Sequence, residues 1–114
     1  MTSEKKPYLR CTTQDTVMRT PQDALDLLGQ VYEYDISRFL FHETNFAPEF
    51  YDLKTKLAGE ILQKFSNYSI QAAILGDFKA VASSRFREFM YECNQGRQLR
   101  FATSEADAVA WLGS

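Results

Sequence analysis

The chain predicts an α/β domain: a single-layer, mostly parallel sheet of roughly four to five strands with about four helices. Three observations predict it. Short apolar runs, ISRFLF at 36–41 and IQAAIL at 70–75, alternate with stretches whose apolar residues recur at three-four spacing. The runs FLF and AAIL are continuous, as strands covered on both faces require. The stretches between the runs are long enough for crossovers, which parallel neighbours need and which, being right-handed, lay the helices on the sheet.

Taken in order, positions 8–11 and 16–19 are short and extended in character, with the polar TTQD of 12–15 as a turn or bulge between them. Thr20, Pro21 and Asp23 then read as a helix start: Thr20 as N-cap, Pro21 at the first helical position, Asp23 reaching back as in a capping box. Such a cap contributes ~1 kcal/mol. Ala24, Leu25, Leu28, Val31 and Tyr32 give this helix one apolar face, and it ends near Glu33. After the 36–41 strand, Leu53, Leu57, Ala58, Ile61, Leu62 and Phe65 predict one helix from Pro48 or Phe50 to Ser66, with Lys56, Glu60, Gln63 and Lys64 outward. Ser83 or Ser84 caps a third helix with Phe86, Phe89, Met90 and Cys93 on its inner face, which Gly96 stops in a left-handed conformation. Leu99 and Phe101 form a further strand, and Ser104 opens a last helix carrying Val109, Ala110 and Leu112.

Composition narrows the function classes. The chain has 114 residues, thirteen Lys plus Arg against fifteen Asp plus Glu, a net charge of -2 and 45% hydrophobic residues, values ordinary for one domain at 8–114 behind a flexible tail at 1–7. No basic block interleaved with aromatics tracks a phosphate backbone, so nucleic acid is a poor partner. The opening MTSEKKP lacks the apolar run of a signal peptide, and no segment reaches the ~20 apolar residues of a membrane span; the expected place is the cytoplasm. Cys11 and Cys93 stand apart without a CxxC or a second histidine, so they read as reduced thiols, with no metal and no cofactor expected.

In open parallel sheets ligands meet the carboxyl ends of the strands. Those ends here are His42, Glu43, Thr44 and Asn45, then Gly76, Asp77 and Phe78, then Thr103 and Ser104. His42, Glu43, Asn45, Asp52 and Asp77, with Glu92 and Asn94 if the 92–96 turn folds toward them, form the candidate polar site. His42 and Glu43 point to opposite faces if they end a strand, which argues against a simple dyad. HETNF lacks the second histidine of HExxH, and neither a G-x-S-x-G elbow nor a glycine-rich phosphate loop is present. Asp52 and Thr55 read as first-turn residues of the long helix, and Thr55 as a candidate phosphorylation site, since a phosphoryl group there would meet amide donors. Glu60 and Lys64 form an i, i+4 pair on the exposed face, which with Lys56 is the candidate partner-docking face. Gly59 costs ~1 kcal/mol against Ala in mid-helix, a sign of close packing or of room kept for a ligand.

HETN at 42–45, FYDLKT at 50–55, LAGEILQKF at 57–65, GDF at 76–78 and YECNQG at 91–96 resemble the bacterial family catalogued as domain of unknown function 4180. The resemblance covers about 16–112 and implies a small cytosolic bacterial protein without an assigned activity. Two departures stand out: Lys56 occupies a position where a glycine is expected, and little chain precedes Tyr8, which implies an exposed sheet edge there or a partner covering it. The order of elements is also similar to the domain shared by sulfate transporters and anti-sigma factor antagonists (STAS), a fold-level analogy only.

These readings give a leading expectation and two others. The first is a regulatory protein-binding module that presents the strand-end loop and the 50–66 helix to an unidentified protein partner. The second is a small-molecule-binding protein or enzyme with its polar site at the strand ends. The third is a homodimer, suggested by sixteen aromatic residues in so short a chain.

Overall fold

The computed structural model describes residues 7–78 and 83–113. Its sheet has four strands, β1 (Leu9–Arg10), β2 (Arg38–His42), β3 (Gln71–Leu75) and β4 (Leu99–Ala102), all parallel and side by side in chain order. The helices are α1 (Pro21–Tyr34), α2 (Leu57–Asn67), α3 (Ser84–Gln95) and α4 (Glu105–Leu112). This is the α/β architecture expected from the sequence; the flexible tail expected at 1–7 lies, Pro7 apart, outside the described residues.

Strand order and handedness together decide where the helices go. When each strand is added on the same side of the last, crossovers of one hand carry every connecting helix to one face. Ala24 and Leu27 of α1, Ala58, Ile61 and Phe65 of α2, and Phe86 and Cys93 of α3 accordingly share one core with Phe39, Phe41, Ala72, Ile74, Leu99 and Phe101 of the sheet. The alternate strand residues Leu40, Ala73 and Ala102 face the other way and meet Ala108 and Leu112 of α4. Small side chains at 73 and 102 let this single short helix approach closely.

All nine phenylalanines go to the larger core, eight buried and Phe89 packed against them. Phe50 lies at its centre, with Phe46, Phe86 and Phe101 at ring-centroid distances of 4.5, 6.0 and 6.4 Å. Much of the aromatic excess that suggested a dimer is thus absorbed inside the protein; Tyr32, Tyr34, Tyr68 and Tyr91 remain exposed.

The cap of α1 is as read from the sequence. Thr20 Oγ1 accepts the Asp23 N–H at 3.3 Å, and Asp23 Oδ2 accepts the Thr20 N–H at 3.0 Å. The continuous helix expected from Pro48 or Phe50 to Ser66 is not formed. Three 3₁₀ turns (Glu43–Asn45, Pro48–Tyr51, Leu53–Thr55) precede α2, and Lys56 breaks the path with φ 66°. Leu53 keeps the apolar spacing of a helix, but the turns are needed to bring Phe50 down into the core, where it is fully buried. Gly96 stops α3 with φ -95°, not in the left-handed region; the residues that adopt positive φ are Asp35, Lys56 and Ser69.

Candidate functional site

Asn45 is the only buried polar residue among those described, and it serves the fold. Its Oδ1 accepts the His42 N–H at 2.7 Å, and its Nδ2 donates to Thr13 O at 2.9 Å and Asp15 O at 2.8 Å. Its own carbonyl accepts the N–H groups of Val17 and Met18, both at 2.8 Å. One amide therefore ties the 13–18 segment to the end of β2, and no side-chain hydrogen is left for a ligand.

Glu43 turns across the sheet end. Its Oε1 accepts the Asp77 N–H at 3.2 Å, and Tyr51 donates its hydroxyl to the Glu43 carbonyl at 2.5 Å. Burial, and then the nearby Glu43 charge, holds the Tyr51 phenol well above its usual range. Glu43 and Tyr51 line an open depression of about 470 Å³ with Asp15, Thr16 and Thr44. Glu43, Tyr51 and the Asp77 backbone are the polar groups that do converge at the strand ends.

His42 belongs elsewhere. It continues the alternation of β2 on the side of Leu40, and its charge interaction is with Glu105 at the start of α4. Glu105 pairs with Arg10 at 2.9 Å; that hydrogen bond, then the charges of Arg10 and His42, holds its carboxyl below the usual range. His42 thus lies on the α4 side, whereas Glu43, already in the first 3₁₀ turn, reaches across the end of the sheet to Asp77.

Asp52 and Thr55 hold the last 3₁₀ turn rather than the first turn of α2. Asp52 Oδ1 accepts the Lys54 N–H at 3.0 Å. The Thr55 hydroxyl lies 2.6 Å from the Glu49 carbonyl and 2.8 Å from that of Asp52, and accepts the Leu57 N–H at 3.3 Å. Glu92 and Asn94 do not join the strand-end groups. Glu92 lines a crevice with Leu62, Ser66, Arg97 and Leu99, where β4 begins. Asn94 clamps the open edge of β4: its Oδ1 accepts the Phe101 N–H at 2.9 Å and its Nδ2 donates to the Phe101 carbonyl at 3.3 Å. No group of three or more His, Cys, Asp or Glu among the described residues could hold a metal ion.

The family's sequence pattern, described as a domain of unknown function (DUF4180), matches residues 3–112 of the 114. The chain belongs to this family. No curated protein and no solved structure matches it. The DUF4180 residues that carried the resemblance now have structural roles: Asn45 holds the 13–18 segment, Gly76 makes room for Glu43, and Asn94 closes the β4 edge. The glycine expected at 56 also has a reason, because the backbone there is left-handed. No helix among the described residues is long and apolar enough to cross a membrane.

One open groove of this DUF4180 chain lies between helices. α1 packs closely on α2, whereas α3 packs on β4 and stands off from α2. The gap is a groove of about 520 Å³ lined by Leu53, Lys56, Gly59, Glu60, Gln63, Lys64 and Phe89. A second depression of about 180 Å³ shares Phe89 and adds Leu62 and Cys93. Glu60 and Lys64 make no ion pair within 4.0 Å, contrary to expectation; the two ion pairs among the described residues are Arg10–Glu105 and Arg100–Asp107. A Cβ on Gly59 would meet nothing within 4 Å, so this glycine serves no close packing inside the protein and instead leaves the groove wall bare. Sequence reasoning had marked the α2 wall, and it missed Phe89 as groove lining and Tyr51 as the partner of Glu43, because both depend on which elements become neighbours.

Proposed function

We propose that this DUF4180 protein is a cytoplasmic, regulatory protein-binding module that receives its partner in the groove between α2 and α3. The observation that carries this reading is the groove itself: apolar side chains at Leu53 and Phe89, a bare wall at Gly59, and Lys56, Glu60 and Lys64 along the rim. A helix or extended segment with apolar anchors suits such a site. Thr55 offers a route to regulation. A phosphoryl group there would replace the hydroxyl hydrogen beside the Glu49 and Asp52 carbonyls with negative charge, opening the turn that carries Leu53 and Lys56 to the rim.

The depression at Glu43 and Tyr51 supports a second reading, a small polar ligand held at the strand ends. A native mass spectrum of the protein isolated from its own cells separates the two. A bound polypeptide that is lost in Gly59→Trp and kept in Glu43→Gln supports the groove. A retained small molecule that is lost in Glu43→Gln and kept in Gly59→Trp supports the strand-end site.

A further inference from the structure

A cavity of about 400 Å³ lies at the β1 edge of the sheet, between α1 and the 9–18 segment. Packing leaves it there. α1 leans on α2 and makes little contact with β1, and β1 is the outermost strand, so no further strand or helix among the described residues closes the space. Asp23, Asp26, Leu27 and Gln30 recur at three-four spacing and form the α1 wall. On the strand side, Leu9 and Cys11 face the cavity, while Arg10 between them turns to Glu105 at the start of α4. Cys11 keeps this alternation one residue beyond β1, because its N–H still bonds the Leu40 carbonyl at 2.9 Å. Met18, Leu27, Phe39 and Phe41, all buried, make the floor.

The lining divides by chemistry. The floor is apolar, and the polar side chains stand at the mouth: Thr12, Asp26 and Gln30 are exposed and Asp23 is half-buried. Asp23 Oδ2 accepts the N–H groups of Arg19 and Thr20 at 2.8 and 3.0 Å, and Asp26 Oδ1 accepts from Gln22 Nε2 at 3.0 Å, so each carboxylate keeps a second oxygen as an acceptor. Arg10 is the basic residue on the lining, and its guanidinium is held by Glu105 on the far side of the sheet at 2.9 Å. The charge at the mouth is therefore that of two carboxylates. Small-molecule sites are concave, of about 300–1,000 Å³, apolar inside and furnished with a few polar groups that fix orientation. This cavity meets that description, and it shares no lining residue with the α2–α3 groove or the Glu43 depression.

We propose that this cavity binds a small amphiphilic amine, with an apolar ring or chain seated on Leu27, Phe39 and Phe41 and a protonated nitrogen at the mouth beside Asp23 and Asp26. The apolar part supplies most of the affinity by leaving water, and the two carboxylates select the cation over neutral or anionic molecules of the same shape.

The test titrates the full chain with phenethylamine, tryptamine, cyclohexylmethylamine and hexylamine, each beside the alcohol and the carboxylate that carry the same apolar body, and follows the amide proton–nitrogen spectrum. The expected result is a saturable shift at the amides of 11–13 and 23–30 with at least one amine, which binds about tenfold or more tightly than its alcohol and its carboxylate. Asp26→Asn keeps the shape of the exposed residue and removes its charge, and should weaken that amine about threefold or more. An alcohol or carboxylate that binds as tightly, shifts confined to other parts of the protein, an affinity indifferent to Asp26→Asn, or no saturable shift with any amine up to about 10 mM overturns the proposal. Alkylation of Cys11 by iodoacetamide, followed by peptide mass, is the second measurement. Saturation with the bound amine should slow it several-fold, and an unchanged rate would equally overturn the proposal.

Discussion

Glu43 fills the space that a side chain on Gly76 would need: a Cβ at 76 would lie 2.7 Å from Glu43 Cβ and 2.8 Å from its Cγ and Cδ. The close approach is what lets Glu43 Oε1 reach the Asp77 N–H and join the ends of β2 and β3. Gly76→Ala should cost about 1–3 kcal/mol by overpacking. In the double variant Glu43→Gly/Gly76→Ala all three overlapping side-chain atoms are gone, so the loss should be well below the sum of the single losses. Urea denaturation of the four proteins measures the coupling; strict additivity would refute it.

Asn45→Ala takes the part-buried partner from the His42 N–H and from the carbonyls of Thr13 and Asp15. The expected loss is on the order of 3 kcal/mol. Asn45→Asp keeps the shape but turns a carboxylate oxygen toward those two carbonyls, so it should be at least as damaging. Equilibrium unfolding of both variants checks the order.

Two glycine exchanges should stabilise the protein in opposite chemical directions. Lys56→Gly relieves a left-handed backbone at a residue with a Cβ, and Gly59→Ala removes a mid-helix glycine where a Cβ meets nothing. Each is expected to add about 0.5–1 kcal/mol. A loss in Gly59→Ala, read by thermal unfolding, would mean that the exposed α2 wall is tighter than its geometry shows.

Asn94 closes the β4 edge by taking both the N–H and the carbonyl of Phe101. Asn94→Ala bares that edge, and unpaired edge groups invite pairing with another chain. Sedimentation at increasing concentration should show more association than the parent protein does.

Alkaline pH should weaken the fold through Cys93. Burial first, and then the neighbouring Glu92 charge, pushes its thiol from 9.0 up to about 12. A group raised in the folded state favours folding fully below its unfolded value, and that contribution is lost as pH rises through the folded value. The loss should therefore run from about pH 9 to about 12, with Tyr51 adding to it at the upper end because its phenol is also raised. In Cys93→Ala the stability profile over that window should be flatter.

Much of the fold was legible because its signals are local. The Thr20–Asp23 box, the continuous runs of β2 and β3 and the spacing of α2 each depend on residues within one or two turns of one another. The 48–56 region was misread for the same reason: Leu53 keeps the helical spacing, and nothing nearby in sequence says that Phe50 must reach a core built from Phe46, Phe86 and Phe101. The candidate site was read as one constellation because its residues cluster at strand ends; alternation and packing distribute them among the Glu43 depression, the Arg10–Glu105 pair beside His42, and the interior of the protein at Asn45.

By itself, then, the sequence determined the α/β class, the parallel pairing, the capped start of α1 and the outward wall of α2, all of which follow from periodicity, turn chemistry and the length of the connections. Only the tertiary structure decided that three helices share one face while α4 alone covers the other, that α3 stands off from α2, and that Glu43 fills the space beside Gly76. The physical reason is that a shared core face, a groove and a close approach are relations between residues from different elements, and they come into being when the sheet sets those elements side by side.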